Sequence, residues 1–153
     1  MIIGVDCDLR EITWKADTTV FPGEYQGAAA PGIAALVHYL GSEELPATIL
    51  YEIAGAVDYT DNKGAAHNKR RWTIYNVAMA ARLHELFTAK LFKHTMLVAP
   101  SSAWTGGYTE KQRHLLYKCT ASTHDLRECE AMARSYRRHP DKWTPFNLYI
   151  ENL

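Results

Sequence analysis

Cysteine is scarce in this chain: Cys7, Cys119 and Cys129 are three in 153 residues, an odd number at no metal-ligand spacing. That excludes a disulfide scaffold and a cysteine-built zinc site, and it suits free thiols in a reducing compartment. No apolar run approaches the ~20 residues that a membrane-spanning helix needs. The start carries no charged, apolar and small-residue leader pattern, so a cytoplasmic protein with no membrane partner is expected. Neither sign of charge prevails, with 17 Lys and Arg against 17 Asp and Glu, so net charge does not announce a nucleic-acid binder. Repeats, low-complexity tracts and any linker long enough to separate domains are missing too. With 47% hydrophobic residues the chain can bury one sizeable core. A single domain over residues 1–153 is expected, with 139–153 as a C-terminal tail.

Hydrophobic patterning outlines the elements. Met1 to Cys7 is a buried first strand, Glu11 to Ala16 alternates like an antiparallel neighbour, and Thr18 to Val20 offers a third. Pro31 to Leu40 has helical spacing at Ile33, Leu36, Val37 and Leu40, with Pro31 suited to a first turn and Gly41 to a stop. Pro46 to Glu52 is another apolar strand, followed by a long Gly, Asp and Asn-containing loop from Ala54 to Ala66. A long helix from about His67 to Lys90 carries Trp72, Tyr75, Met79, Leu83 and Leu86 on one stripe. Leu91 to Ala99 is the last core strand. A loop from Ser101 to Tyr108 leads into a short helix that Thr109 caps and that runs to about Ala121, and Ser122 or Thr123 caps a final helix from Asp125 to His139. Strands first, then strand and helix in alternation, predict an α/β layer with helices packed on a mixed sheet.

Acids fall at telling places on this outline. Asp6 closes the first apolar run, Glu52 closes another, and Asp125 and Glu128 open the last helix. Acids where α/β strands leave the core are partly desolvated yet reach the crevice. Residues three apart on a helix share a face, so Asp125 and Glu128 can address one ion. Oxygen donors spread over neighbouring elements suit Mg²⁺, which keeps several waters, and paired metals can activate water and stabilise a leaving oxygen in phosphodiester hydrolysis. Taken singly, each acid is equally a helix cap or an arginine partner.

Other residues leave two roles open. Asp8 either joins the metal shell or turns the chain between two strands. His124 stands either near a scissile phosphate or on the surface. Tyr59 either stacks on an unpaired base or is solvated. Basic clusters at His67 to Arg71, Lys90 to His94, Lys111 to His114 and Arg134 to His139 either hold a phosphate backbone, if they converge on one face, or are solvated helix faces.

Four segments together resemble the RuvC family of Holliday junction resolvases, most closely its short bacteriophage versions. Ile3-Gly4-Val5-Asp6 is similar to the family's first catalytic strand, and Leu50-Tyr51-Glu52 to the second acidic strand end. Ala99 to Lys111 is similar to the loop that runs through a Gly-containing turn into an acidic-Lys helix start. His124 to Ala133 has the two acids three residues apart, followed by small residues. The chain departs from the family in three ways: Glu128 stands where Asp is common, Cys7-Asp8 replaces a Pro or Gly turn, and Ala103-Trp104 lacks an early basic residue, which leaves Lys111 as the better match for a phosphate contact.

The resemblance implies an RNase H-like α/β fold and a homodimer that nicks four-way DNA junctions symmetrically, giving 5′-phosphate and 3′-hydroxyl ends. It implies Mg²⁺, with Mn²⁺ able to substitute, held by Asp6, Glu52, Asp125 and Glu128, and a catalytic Lys111. The expected DNA contacts are Lys69, Arg70, Arg71, Lys111, Arg113 and Tyr59. The alternatives are an RNase H-like nuclease acting on RNA:DNA hybrids or flaps, and a catalytically inactive junction-binding protein.

Overall fold

The computed structural model describes residues 1–43, 46–53, 59–60, 63–64, 66–67, 70–90 and 92–152, with backbone alone at 43, 59, 60, 66, 67 and 70–72. Its core is a six-stranded mixed sheet. β1 (Ile2–Cys7) pairs antiparallel with β2 (Glu11–Ala16), which pairs antiparallel with β3 (Glu24–Ala28). On its other side β1 runs parallel to β4 (Ala47–Ile53), and β4 parallel to β7 (His94–Pro100). β8 (Thr144–Pro145) adds a short antiparallel edge. A separate hairpin pairs β5 (Tyr59–Thr60) with β6 (Ala66–His67), inside the segment expected to be a loop.

Both faces of the sheet are covered, which is why its central strands read as nearly continuous apolar runs. Ile3, Val5, Cys7, Ile49, Tyr51 and Ile53 point to one face and pack with Leu36 of α1 (Ala29–Glu43) and Met79, Leu83 and Phe87 of α2 (Arg70–Ala89). Leu50, Leu97 and Ala99 belong to a second cluster on the opposite face. There they meet Trp104 of α3 (Ser101–Trp104), Tyr117 just after α4 (Glu110–Leu116), and Cys129, Met132 and Ala133 of α5 (His124–Arg138).

Local chemistry sets the helix starts. Thr109 and Gln112 form a reciprocal capping box at α4, and the Thr123 hydroxyl accepts the Leu126 N–H at α5. Gly106 and Gly107 both have positive φ, 63° and 78°, so the turn into α4 needs residues without a Cβ.

α1 continues through Gly41, the expected stop, to Glu43, β7 starts at His94 and not Leu91, and Ser101–Trp104 of the expected loop is helical. Three further differences change the architecture. The third strand is Glu24–Ala28 and not Thr18 to Val20, because pairing with β2 selects the segment in register: Trp14 lies opposite Tyr25 and Thr13 opposite Gln26. α4 ends at Leu116, five residues early, and the chain reverses through Lys118 at φ 53°. The expected tail is part of the core: Trp143 and Phe146 are buried, β8 pairs with β7, and α6 (Phe146–Glu151) packs beside them. No described helix is long and apolar enough to cross a membrane.

Candidate active site

The sheet register builds the site. Asp6 lies opposite Thr13, and Thr13 opposite Gln26. On the other side Val5 pairs with Tyr51, so one step on Asp6 and Glu52 stand side by side on parallel strands ~4.8 Å apart. Glu52 in turn pairs with Ala99. A row Gln26, Thr13, Asp6, Glu52, Ala99 therefore crosses the sheet at the carboxyl ends of β1, β4 and β7, where open α/β sheets form their crevice.

α5 lies over this row, and Gly4 is what lets it come close. A Cβ at Gly4 would stand 2.3 Å from the Cys129 carbonyl oxygen, so helix and strand backbones touch. Cys129 also directs its thiol at the Thr13 carbonyl, 3.6 Å away. The approach carries the first turns of α5, with Asp125 and Glu128, over Asp6.

The electrostatics register the crowding. Asp6 reaches solvent, yet the protein mass around it, then the charges of Asp125, Asp8 and Glu128, raise its pKa from 3.8 to about 6. Burial, then the charges of Asp6 and Glu128, raise Glu52 from 4.5 to about 7, against hydrogen bonds from Trp104 and Ser101 that favour its anion. The Trp104 indole N–H donates to Glu52 Oε2 at 2.5 Å.

Each acid of α5 is held differently. The Gln26 amide donates to Asp125 Oδ2 at 2.7 Å, while its carbonyl oxygen accepts from the Thr123 hydroxyl at 2.6 Å, which ties β3 to the start of α5. Glu128 is clamped by α4: Arg113 Nη2 donates to Oε2 at 2.8 Å, Arg113 Nε to Oε1 at 3.2 Å, and His114 Nε2 to Oε1 at 2.8 Å. Arg113 also donates to the Tyr108 carbonyl at 2.6 Å and lies over the Trp104 ring, 5.4 Å from its centroid.

Asp6, Glu52, Asp125 and Glu128 are thus brought into one crevice. Asp8 turns the chain between β1 and β2, its Oδ1 accepting the N–H groups of Arg10 and Glu11 at 2.7 and 2.8 Å. His124 is exposed at the rim, its Nδ1 3.1 Å from Glu110 and 3.2 Å from Asp125. Lys111 is exposed on α4 and forms no ion pair with a described residue. Arg113 faces inward to Glu128. Arg70 and Arg71 open α2, Tyr59 lies in β5, and the side chains of all three, like the whole of Lys69, lie outside the described residues.

Two of the basic clusters stand away from the crevice. Lys90 to His94 precedes β7 at the amino ends of β4 and β7, opposite the carboxyl ends that form the crevice, where Ala47 N–H meets the Lys93 carbonyl. Arg134 pairs with Asp17 and Glu130, and Arg137 with Asp17, near the start of β1, where Asp17 N–H meets the Ile2 carbonyl.

The donor set is all oxygen, which suits a hard divalent cation, and burial first and neighbouring carboxylates second raise the carboxyl groups of Asp6 and Glu52. Among the described residues no three His, Cys, Asp or Glu side chains stand at ligating spacing, so these carboxylates would have to draw together around an ion. Trp104, His114 and Gln26 are the site residues the sequence did not single out; their partners are 52, 14 and 99 residues away in the chain, and no periodicity links them. No family model matches the chain and no curated protein matches it significantly, so its function rests on this geometry.

Proposed function

We propose that the protein is a Mg²⁺- or Mn²⁺-dependent, structure-selective DNA endonuclease that resolves four-way junctions as a homodimer. The observation that carries the reading is the placement of Asp6 and Glu52 side by side at the carboxyl ends of adjacent parallel strands, with Asp125 and Glu128 lowered onto them by α5. An antiparallel β3-β2-β1 meander continued by parallel β4 and β7 is also the arrangement expected of an RNase H-like sheet, which supports the resemblance to RuvC-like resolvases.

In this reading Asp6, Glu52, Asp125 and Glu128 hold the metal. Bound divalent cations supply the acidity that activates water and the charge that a leaving 3′ oxygen needs. The chain's own residues set the stage: Trp104 and Ser101 fix the Glu52 carboxylate, Gln26 fixes Asp125, and the Cys129 thiol, pushed well above its ordinary pKa by burial, stays neutral beneath them. Exposed Lys111, on the helix that carries Arg113 and His114, offers the DNA backbone a point charge. Recognition then depends on branch shape and backbone contacts more than on base edges.

The test is a panel of labelled four-way junction, linear duplex, flap and RNA:DNA hybrid in Mg²⁺ and in Mn²⁺. Paired nicks in the junction alone support the reading. Cutting of flaps or hybrids instead overturns the substrate, and binding without cutting overturns the enzyme.

A further inference from the structure

We propose that Arg113 is a built-in counter-cation of the acidic crevice, holding Glu128 until a divalent cation displaces it, with Trp104 reporting the exchange. The proposal rests on the metal-dependent reading above and gives Arg113, which the resemblance offers only as a DNA contact, a role toward the metal.

The geometry points to exchange because both oxygens of Glu128 are already engaged, with three donors on about four acceptor sites. Oε2 accepts from Arg113 Nη2, and Oε1 accepts from both Arg113 Nε and His114 Nε2. A carboxylate so engaged can turn both oxygens to a cation only by giving up some of that clamp. The ion pair is sheltered, with side chains 11% and 18% exposed, so it is not a solvent-screened surface contact. It is also open to competition. Glu128 lies in the field of Asp6 and Glu52, and a divalent ion among these acids would repel the guanidinium from the shared carboxylate while satisfying the same oxygens.

One guanidinium touches both halves of the site. Its fork holds Glu128 on α5, and its plane lies over Trp104, whose indole N–H holds Glu52 on β4. When Arg113 leaves Glu128, the Trp104 ring loses a cation from its face, and its hydrogen bond to Glu52 changes as that carboxylate turns to the ion. Either change alters indole emission. The remaining anchor, the Tyr108 carbonyl, keeps Arg113 at the crevice. There its planar fork matches the paired oxygens of a phosphodiester better than a lysine would.

The experiment is a Mn²⁺ titration of the metal-free protein without DNA, followed by tryptophan emission and by calorimetry. The variants are Arg113→Gln, Arg113→Lys, Trp104→Phe and Glu52→Gln. The expected result is a saturable emission change in the parent that Trp104→Phe abolishes. Arg113→Gln should bind Mn²⁺ roughly tenfold more tightly, because a charge-assisted competitor for Glu128 is gone. Arg113→Lys keeps the charge without the fork, guards against a folding defect, and should fall between. Equal Mn²⁺ affinity in the parent and both Arg113 variants, or an emission change that survives Trp104→Phe, overturns the proposal and leaves the metal site standing. No calorimetric binding by the parent, with Glu52→Gln indistinguishable from it, overturns the metal-dependent reading and the proposal together.

Discussion

Gly4 of β1 lies directly against the main chain of Cys129 in α5: a Cβ at Gly4 would come within 2.3 Å of the Cys129 carbonyl oxygen and 2.9 Å of its carbonyl carbon. Neither contact is with a flexible side chain, so a methyl group can be accommodated only by moving helix from strand. Gly4→Ala should therefore destabilise the fold by about 1–3 kcal/mol and lift Asp125 and Glu128 away from Asp6. Thermal melts and cleavage rates should both fall. A variant that melts with the parent would show that α5 does not rest on β1 there.

Glu52 predicts a pH dependence of stability. Its pKa is raised from 4.5 to about 7 in the folded protein, mainly by burial and then by Asp6. Between those values the native state keeps a proton that the unfolded chain has released, so this contribution to stability falls as pH rises through the window and is level above it. Metal-free Glu52→Gln should therefore be more stable than the parent at pH 8, by about 1–2 kcal/mol after allowance for solvent screening. At pH 4, where both carboxyl forms are protonated, the two melts should coincide. A gap of the same size at both pH values would contradict the assignment.

Glu130 provides the contrast among the acids of α5. It is 1% exposed, accepts the N–H groups of Thr120 at 3.3 Å and Ala121 at 2.5 Å, and pairs with Arg134 at 3.0 Å. These contacts fasten the chain ahead of α5 and do not face the crevice. Glu130→Gln should cost about 1–3 kcal/mol in denaturant unfolding while leaving the cleavage rate per folded molecule unchanged. Parental stability, or lost cleavage in a fully folded variant, would reverse that division of labour.

Lys111 should act on DNA and not on the fold. It is exposed and pairs with no described residue, so Lys111→Ala should leave the melting temperature within about 1 °C of the parent, as surface substitutions commonly do. Junction binding should weaken, and the slope of log affinity against log salt should shrink by about one phosphate contact. An unchanged salt slope and unchanged cleavage would remove Lys111 from the interface.

The central strands and main helices were legible because each carries its own period. β1, β4 and β7 are apolar runs buried from both sides, and α5 has a capping threonine and a clean apolar stripe at Leu126, Cys129 and Met132. β3 was not legible. Its sequence, Glu24-Tyr25-Gln26-Gly27-Ala28, is half exposed with little apolar content, and it is a strand only because β2 offers a ladder. Asp6, Glu52, Asp125 and Glu128 could be named from their positions at element ends. What holds them could not, since Arg113 meets Glu128 across 15 residues and Gln26 meets Asp125 across 99, and such pairs exist only after the sheet and α5 are assembled.

The central claim is that Asp6 anchors a metal-dependent cutting centre. The most direct measurement sets Asp6→Asn beside the parent on a labelled four-way junction in Mn²⁺, with binding followed in parallel. The parent should cut, cleavage by Asp6→Asn should fall by at least roughly 100-fold, and junction affinity should be retained or improved because a charge repelling phosphate is gone. Cleavage by Asp6→Asn at the parental rate would contradict the claim.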